Sequence, residues 1–328
     1  MALSQGRGPL FTDPDPEAAR AFFRGKKTAV DEKVMSVAEA VERFVHDGGY
    51  LASGGFGTNR IATAVLHEIV RRGRRDLGFA GHTTTHDFQI LAVGDRKGKP
   101  LIRRVDAAYI VGLEARGLSR RARMLMESGK VEVCEWTNYA LACRLRAAAA
   151  GIPFFPLRSM LGTDTFDRSA AREITCPFTG RNLLAVPALY PDVALIHVHE
   201  CDSLGNCRIH GITVADVELA RASKRVIVTT ERVISTDAVR EAPHLTTIPS
   251  YCVDAVCEVP YGSYPGNMPG EYFSDEEHLS EWLTVEEEDA AYKRFVEKYI
   301  FGITDFNEYL ELCGGAARLA ELRSLELS

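Results

Sequence analysis

Residues 50–60 read "YLASGGFGTNR": a short apolar run, then three glycines in four positions, then a segment of helical pattern. A strand that hands over to a helix through glycines is half of a βα unit, and the chain repeats that alternation on both sides of it. The apolar β-type runs "LGFAG", "AAYIV", "VEVCEW" and "FFPL" alternate with amphipathic segments at residues 59–72, 86–93, 119–128 and 138–150. After an interruption, "DVALIHVH", "RVIVTT" and "CVDAVCEV" resume the series. The pattern predicts an α/β fold, an open and mostly parallel sheet with helices on both faces.

Working outward, Ser36 and Glu39 form a capping box ahead of "VAEAVERFVHDG", in which Val37, Val41, Phe44 and Val45 share one apolar stripe. The compact domain is therefore expected over residues 34–328, with residues 1–33 as an N-terminal extension that carries Asp-Pro-Asp-Pro and a short helical stretch. "LGTDTFDRSAAREITCPFTGRN" (161–182) reads as a surface excursion of turn chemistry, and "PYGSYPGNMPGEYFSD" (260–275) as a long ordered loop. Two helices, "VEEEDAAYKRFVEKYIFG" and "TDFNEYLELCG", are expected to finish the chain, with a stop at Gly314-Gly315.

Composition bounds the function. The 328 residues are 46% hydrophobic and 26% charged, ordinary for a globular protein, and 39 basic against 45 acidic residues give a formal charge of −6. That balance lacks the basic footprint of nucleic-acid binding. No apolar run reaches membrane-spanning length and no secretory leader is legible, so no membrane partner and a cytoplasmic location are expected. The eight cysteines are scattered without a CxxC pair and read as buried free thiols.

In a parallel α/β sheet the loops at the carboxyl ends of strands hold ligands, and glycines there permit positive φ and close approach. "GGFGTNR" lacks the Lys-Ser/Thr of a P-loop and the spacing of G-x-G-x-x-G, which leaves a tight turn and a backbone site both open. "GHTTTHD" puts His82, His86 and Asp87 at another strand-to-helix handover, as pocket lining or as neighbours of a helix cap at Thr85. His197, His199, Cys201, Cys207 and His210 fit no strong zinc template, and no metal is expected. Arg71, Arg72, Arg74 and Arg75 close one helix as a solvated cluster. Arg120, Arg121 and Arg123 open another, where positive charge opposes the helix dipole and calls for an anionic partner. Glu114, after the run "AAYIV", is open between an acid or nucleophile and a surface glutamate.

Several blocks in order, "SGGFGTNR", "SRRARMLMESGKVEV", "AAAAGIPFFPLRSMLGT", "DVALIHVHECDSLGNCRIHG" and "IPSYCVDAVCEVPYGSYP", resemble the A subunits of glutaconate CoA-transferases, class I CoA-transferases, from about Val34 to Gly314. The resemblance implies a hetero-oligomer with a B subunit, in equal numbers, and an active site between the two. It implies an acyl-CoA and a carboxylic acid, for example a dicarboxylate such as glutaconate, as substrates. Coenzyme A would then be a substrate thioester and not a resident cofactor. The catalytic glutamate would belong to the B subunit. Gly54, Gly55, Phe56 and Gly57 would border the thioester, with Ser53, Thr58 and Arg60 beside them and Arg60 facing a carboxylate of the acid. Glu114 stands where relatives carry Gly-Glu-Asn, but the text here is "GLEA", which leaves it a supporting acid at most. The same fold also serves acyl-CoA decarboxylases and a ring-opening hydrolase of CoA-linked steroid fragments, and a non-catalytic stabilising role is a further alternative.

Overall fold

The computed structural model describes residues 3–26, 29–93, 100–110 and 117–327. Eleven strands run along the described chain: β1 Tyr50–Ser53, β2 Leu77–Thr84, β3 Ile102–Ile110, β4 Glu132–Glu135, β5 Phe154–Leu157, β6 Arg172–Thr175, β7 Asn182–Pro187, β8 Val193–Asp202, β9 Cys207–Arg208, β10 Arg225–Ile234 and β11 Ala255–Glu258. The main sheet has the order β11-β10-β8-β1-β2-β3-β4, with every pair on that path parallel and β9 added antiparallel to β8.

Burial on both faces explains the continuous apolar runs of the strands. Leu51, Val193 and Leu195 face one core, with Val65, Leu66, Ile69, Phe79 and Trp282. Tyr50, Ala52, Ala194 and Ile196 face the other, with Trp136, Leu141, Leu145 and Leu219. The period of two along β1 and β8 thus divides one sheet between two helical layers.

Local chemistry sets the helix ends. Ser36 Oγ accepts from Glu39 N at 3.1 Å, as the capping box requires. The helix Asn138–Ala150 begins on a Thr137 cap and ends at Gly151, whose φ of 68° is the left-handed stop that glycine favours. Among the described residues no helix is long and apolar enough to cross a membrane.

Three expectations change, for "FFPL", for the stretch 161–182 and for the last helices. "FFPL" does not join the main sheet, because β5 pairs antiparallel with β7, and β7 with β6, in a separate three-stranded sheet. The stretch read as a surface excursion supplies β6 and the start of β7. A four-residue apolar run carries no signal for which sheet it enters, and Pro156 suits the edge place that β5 takes. The extension is tied to that small sheet: Glu173 N donates to Ser4 O at 2.8 Å and Gly6 N to Ala171 O at 2.9 Å. A Cβ on Gly6 would lie 2.2 Å from Ser169 O, so the backbone approach needs glycine there. At the carboxyl terminus Gly314, with φ 109°, does end the helix Phe306–Leu312, but a further helix, Gly315–Glu326, follows. Its anchor is tertiary, since Arg318 Nη2 reaches Asp275 Oδ1 at 2.8 Å.

Candidate active site

The strand order reverses at β1. From there the sheet grows through β2, β3 and β4 on one side and through β8, β10 and β11 on the other. At such a switch point the loops leaving neighbouring strands diverge and open a crevice at the carboxyl edge. The glycine loop leaves β1 at that edge. Five of the seven non-glycine residues with positive φ among the described residues lie late in, or after, strands of the main sheet, Arg60 (φ 58°), Thr83 (47°), Tyr109 (63°), Val214 (41°) and Tyr261 (58°); the other two are Asp76 and Met160. A β-branched residue such as Val214 is held there at a cost of about 1–3 kcal/mol, which the surrounding contacts must offset.

The loop is tied down from three sides. Gly54 N donates to Leu195 O of β8 at 2.8 Å, and Gly55 N to Asp216 Oδ1 at 2.9 Å. Gly57 N donates to Thr83 O at 2.8 Å and Gly57 O accepts from Thr85 Oγ1 at 2.7 Å, which fixes the β2 side. Asn267, in the long loop after β11, donates from N to Thr58 O at 2.9 Å and accepts from Arg60 N at 3.0 Å. Phe56 N and Asn59 O close a tight turn at 3.1 Å. Gly54 and Gly55 have no room for a side chain: a Cβ would meet Asp216 Oδ1 at 2.4 Å and Asn59 O at 2.2 Å, respectively. The N–H groups of Gly54, Gly55, Phe56 and Gly57, expected beside a thioester, thus all donate inside the chain. From Gly54 to Ile61, Thr58 N–H alone has no acceptor among the described residues. Ser53, also expected at the site, is buried at the end of β1, and its hydroxyl turns to Gly54 O at 3.2 Å.

Arg60 is fully buried, not aimed at the surface. Its Nη2 donates to Asp216 Oδ2 at 2.7 Å and to Ile212 O at 2.6 Å, while Nε and Nη1 are buried without partners among the described residues. A substrate carboxylate was the expected partner of this guanidinium, and the carboxylate it meets is intramolecular. No local pattern marks Asp216, because the residues it holds lie 156 and 161 positions away.

His82 is buried with both ring nitrogens unpartnered among the described residues; burial draws its pKa down to about 4 against the pull of Asp216, so the imidazole is neutral. His86 lies between the hydroxyls of Thr63, 3.1 Å, and Thr85, 3.2 Å. Thr85 does not cap its helix, since its hydroxyl is spent on Gly57 O. Asp87 Oδ1 accepts from Thr85 N at 2.7 Å and Phe88 N at 2.9 Å, and burial raises its carboxyl to about 7. His86 and Asp87 therefore stand behind the loop and hold Thr85.

The histidines and cysteines of β8, β9 and the residues that follow fall into separate small groups. His197 bonds Thr229 and Glu231 at 2.8 and 2.7 Å, His199 accepts from His210 N at 3.1 Å and bonds Pro269 O, and Cys201 packs on Cys207 at 3.3 Å. Among the described residues no group of three or more His, Cys, Asp or Glu side chains could hold a metal ion. Arg120 and Arg121 do find anions, in Glu287 at 3.1 Å and Asp289 across the helical carboxyl-terminal region. The cluster at Arg71 to Arg75 pairs in part with Glu68 and Glu42. Glu114 lies outside the described residues.

Comparison with known proteins agrees with this geometry. The family model of coenzyme A transferase matches residues 34–259. The A subunit of glutaconate CoA-transferase from Acidaminococcus fermentans is 32% identical over 308 residues, covering 89% of this chain and 94% of that one. The crystal structure of that enzyme superposes with a TM-score of 0.83 over 89% of this chain and 95% of that chain, at 31% identity. The A subunit of 3-oxoadipate CoA-transferase from Pseudomonas knackmussii is 34% identical, covering 84% of this chain and 96% of its own. A decarboxylase, AibA/AibB, shares the fold with a TM-score of 0.72 at 29% identity over 82% of this chain and 98% of that chain. Matches that run through the glycine loop and most of the sheet, at this level of identity, place the chain in the coenzyme A transferase family.

Proposed function

We propose that this chain is the A subunit of a heteromeric CoA-transferase that moves CoA from an acyl-CoA to a carboxylic acid, with the attacking glutamate supplied by a B subunit. The observation that carries the proposal is the state of the glycine loop. It stands at the switch point of the sheet, is rigidly tied from three sides, and keeps one backbone donor, Thr58 N–H, uncommitted among the described residues.

The chemistry needs such a donor. A carboxylate oxygen adds to the thioester carbonyl carbon and the carbonyl oxygen takes the negative charge; collapse expels CoA thiolate and leaves a mixed anhydride. The thiolate then attacks the glutamyl carbonyl, releasing the first acid and leaving a glutamyl-CoA thioester, and the steps reverse with the second acid. One fixed N–H aimed at the developing oxyanion is worth about 2.7–4 kcal/mol. A dicarboxylate acid is the substrate class that the two transferase relatives support.

The test is co-production with a B subunit, then incubation with acyl-CoAs and borohydride. Inactivation by reduction of a glutamyl thioester, only after exposure to acyl-CoA, is expected. Turnover without an acceptor acid, with release of carbon dioxide or free CoA, overturns the transferase reading in favour of decarboxylase or hydrolase chemistry. Gly55→Val, whose Cβ would meet Asn59 O at 2.2 Å on a backbone of φ 72°, is expected to keep the complex and lose at least about 10²-fold in kcat. Unchanged turnover would leave the chain a stabilising role only.

A further inference from the structure

The proposed site leaves one buried carboxylate unexplained. Asp216 opens the short helix Asp216–Ala222, just after the strained Val214. Its two oxygens hold two different parts of the glycine loop, Gly55 N–H on Oδ1 at 2.9 Å and Arg60 Nη2 on Oδ2 at 2.7 Å. Both side chains of the ion pair are fully buried. Arg60 in turn reaches Ile212 O, in the loop that delivers Asp216. The carboxylate therefore closes a bridge across the switch point, between the loop after β1 and the loop that follows β9.

We infer that Asp216 is a positioning residue of the transfer reaction: through Gly55 N–H it sets the path of the loop that carries Thr58 N–H to the substrate. Two features separate this role from simple core stability. A buried ion pair is poorly suited to stabilising a fold, since desolvation offsets its attraction. Here one pair also spends an oxygen on a buried glycine amide of the loop after β1, and both Arg60 itself and Val214, two residues before Asp216, have positive φ. Once Asp216 holds Gly55, the tight turn of Phe56 and Asn59 and the Asn267 contacts leave Thr58 a single orientation. The inference rests on the transferase reading given above.

The test removes the charge from both partners, so that no buried ion is stranded, and varies only the acceptor for Gly55 N–H. R60M/D216N keeps an amide oxygen at that place; R60M/D216V does not. Both are expected to assemble with the B subunit. R60M/D216N should retain kcat within about threefold of wild type, and R60M/D216V should lose about 10²-fold in kcat with KM little changed, because a small misplacement of a reacting group costs that much. Amide hydrogen exchange of residues 54–60 should be faster in R60M/D216V than in R60M/D216N. Asp216→Glu, which keeps the charge and shifts the carboxylate by one methylene, supplies the same kcat comparison if the valine variant does not fold. Equal kcat and equal exchange in the two double variants, with an active wild-type complex, overturns the inference. A wild-type complex that exchanges no CoA while the exchange difference persists sinks the transferase reading and leaves the bridge standing.

Discussion

Two buried Arg–Asp pairs of the same length, 2.7 Å, sit in different parts of the molecule. Arg144 and Asp106 join a regular helix to the middle of β3. Asp106 Oδ1 also accepts from Trp136 Nε1 at 2.6 Å, Oδ2 takes the Tyr50 hydroxyl, Arg144 Nε donates to Pro187 O, and the guanidinium lies 4.2 Å over the Trp136 ring. Burial and the neighbouring Asp106 push the Tyr50 phenol well above its ordinary range, so it stays a donor. Arg60 and Asp216 join the glycine loop to the first residue of the helix Asp216–Ala222, with the Arg60 backbone at φ 58°. Each pair leaves guanidinium donors buried without partners among the described residues, Arg144 Nη2 in the first and Arg60 Nε and Nη1 in the second, so the pairs differ in what the carboxylate holds. Asp106 binds side chains of the core, Trp136 and Tyr50, whereas Asp216 spends an oxygen on loop backbone, the Gly55 N–H.

The largest effect that sharpens this contrast is expected from Asp106→Ala. It strands Arg144, Trp136 Nε1 and the Tyr50 hydroxyl, and should lower stability by about 3–5 kcal/mol in urea unfolding. Turnover per folded complex should stay near wild type, and a specific loss of kcat would erase the distinction between the two pairs.

A smaller effect is expected at Asp87, a buried carboxyl held by backbone N–H groups. Burial raises its folded pKa to about 7, whereas an unfolded aspartate titrates near about 3.9. Between those values the folded state binds the extra proton, so the contribution is fully present below about pH 4 and is lost as pH rises through about 7. Asp87→Asn keeps an acceptor for Thr85 and Phe88 and should flatten that slope. Its stability relative to wild type should therefore be higher at pH 8 than at pH 5, by thermal unfolding at both, and a parallel pair of curves would show that the carboxyl ionises freely. The smallest change is expected from Arg120→Ala at the exposed pair with Glu287, about 0.5 kcal/mol and diminishing with salt, against the severe loss at the buried pairs.

Much of the sheet was legible because burial on two faces writes itself as local apolar runs. Tyr50–Ser53, Leu77–Thr84 and Val193–Asp202 all stand where such runs occur. The place of "FFPL" was not legible, since strand propensity is silent on which sheet a strand joins. The glycine loop could be seen as special, but not what its amides do. Gly55 and Gly57 have positive φ as their type permits, yet the acceptors for their N–H groups come from Asp216 and Thr83. His82 was found by its position just after the apolar run "LGFAG", lies within β2, and owes its neutral state to burial that a sequence does not record.

By itself the sequence determined the α/β alternation, the capping of the helix at Ser36 and a glycine loop following an apolar strand, since these depend on residues within a few positions of one another. Only the tertiary structure decided that β1 stands at the reversal of strand order, that Arg60 is met by Asp216, and that Thr58 N–H is the amide left free from Gly54 to Ile61 among the described residues. The physical reason is distance along the chain: hydrogen bonds between residues 156 or 161 positions apart are set by how the sheet brings strands together, and no local pattern encodes them.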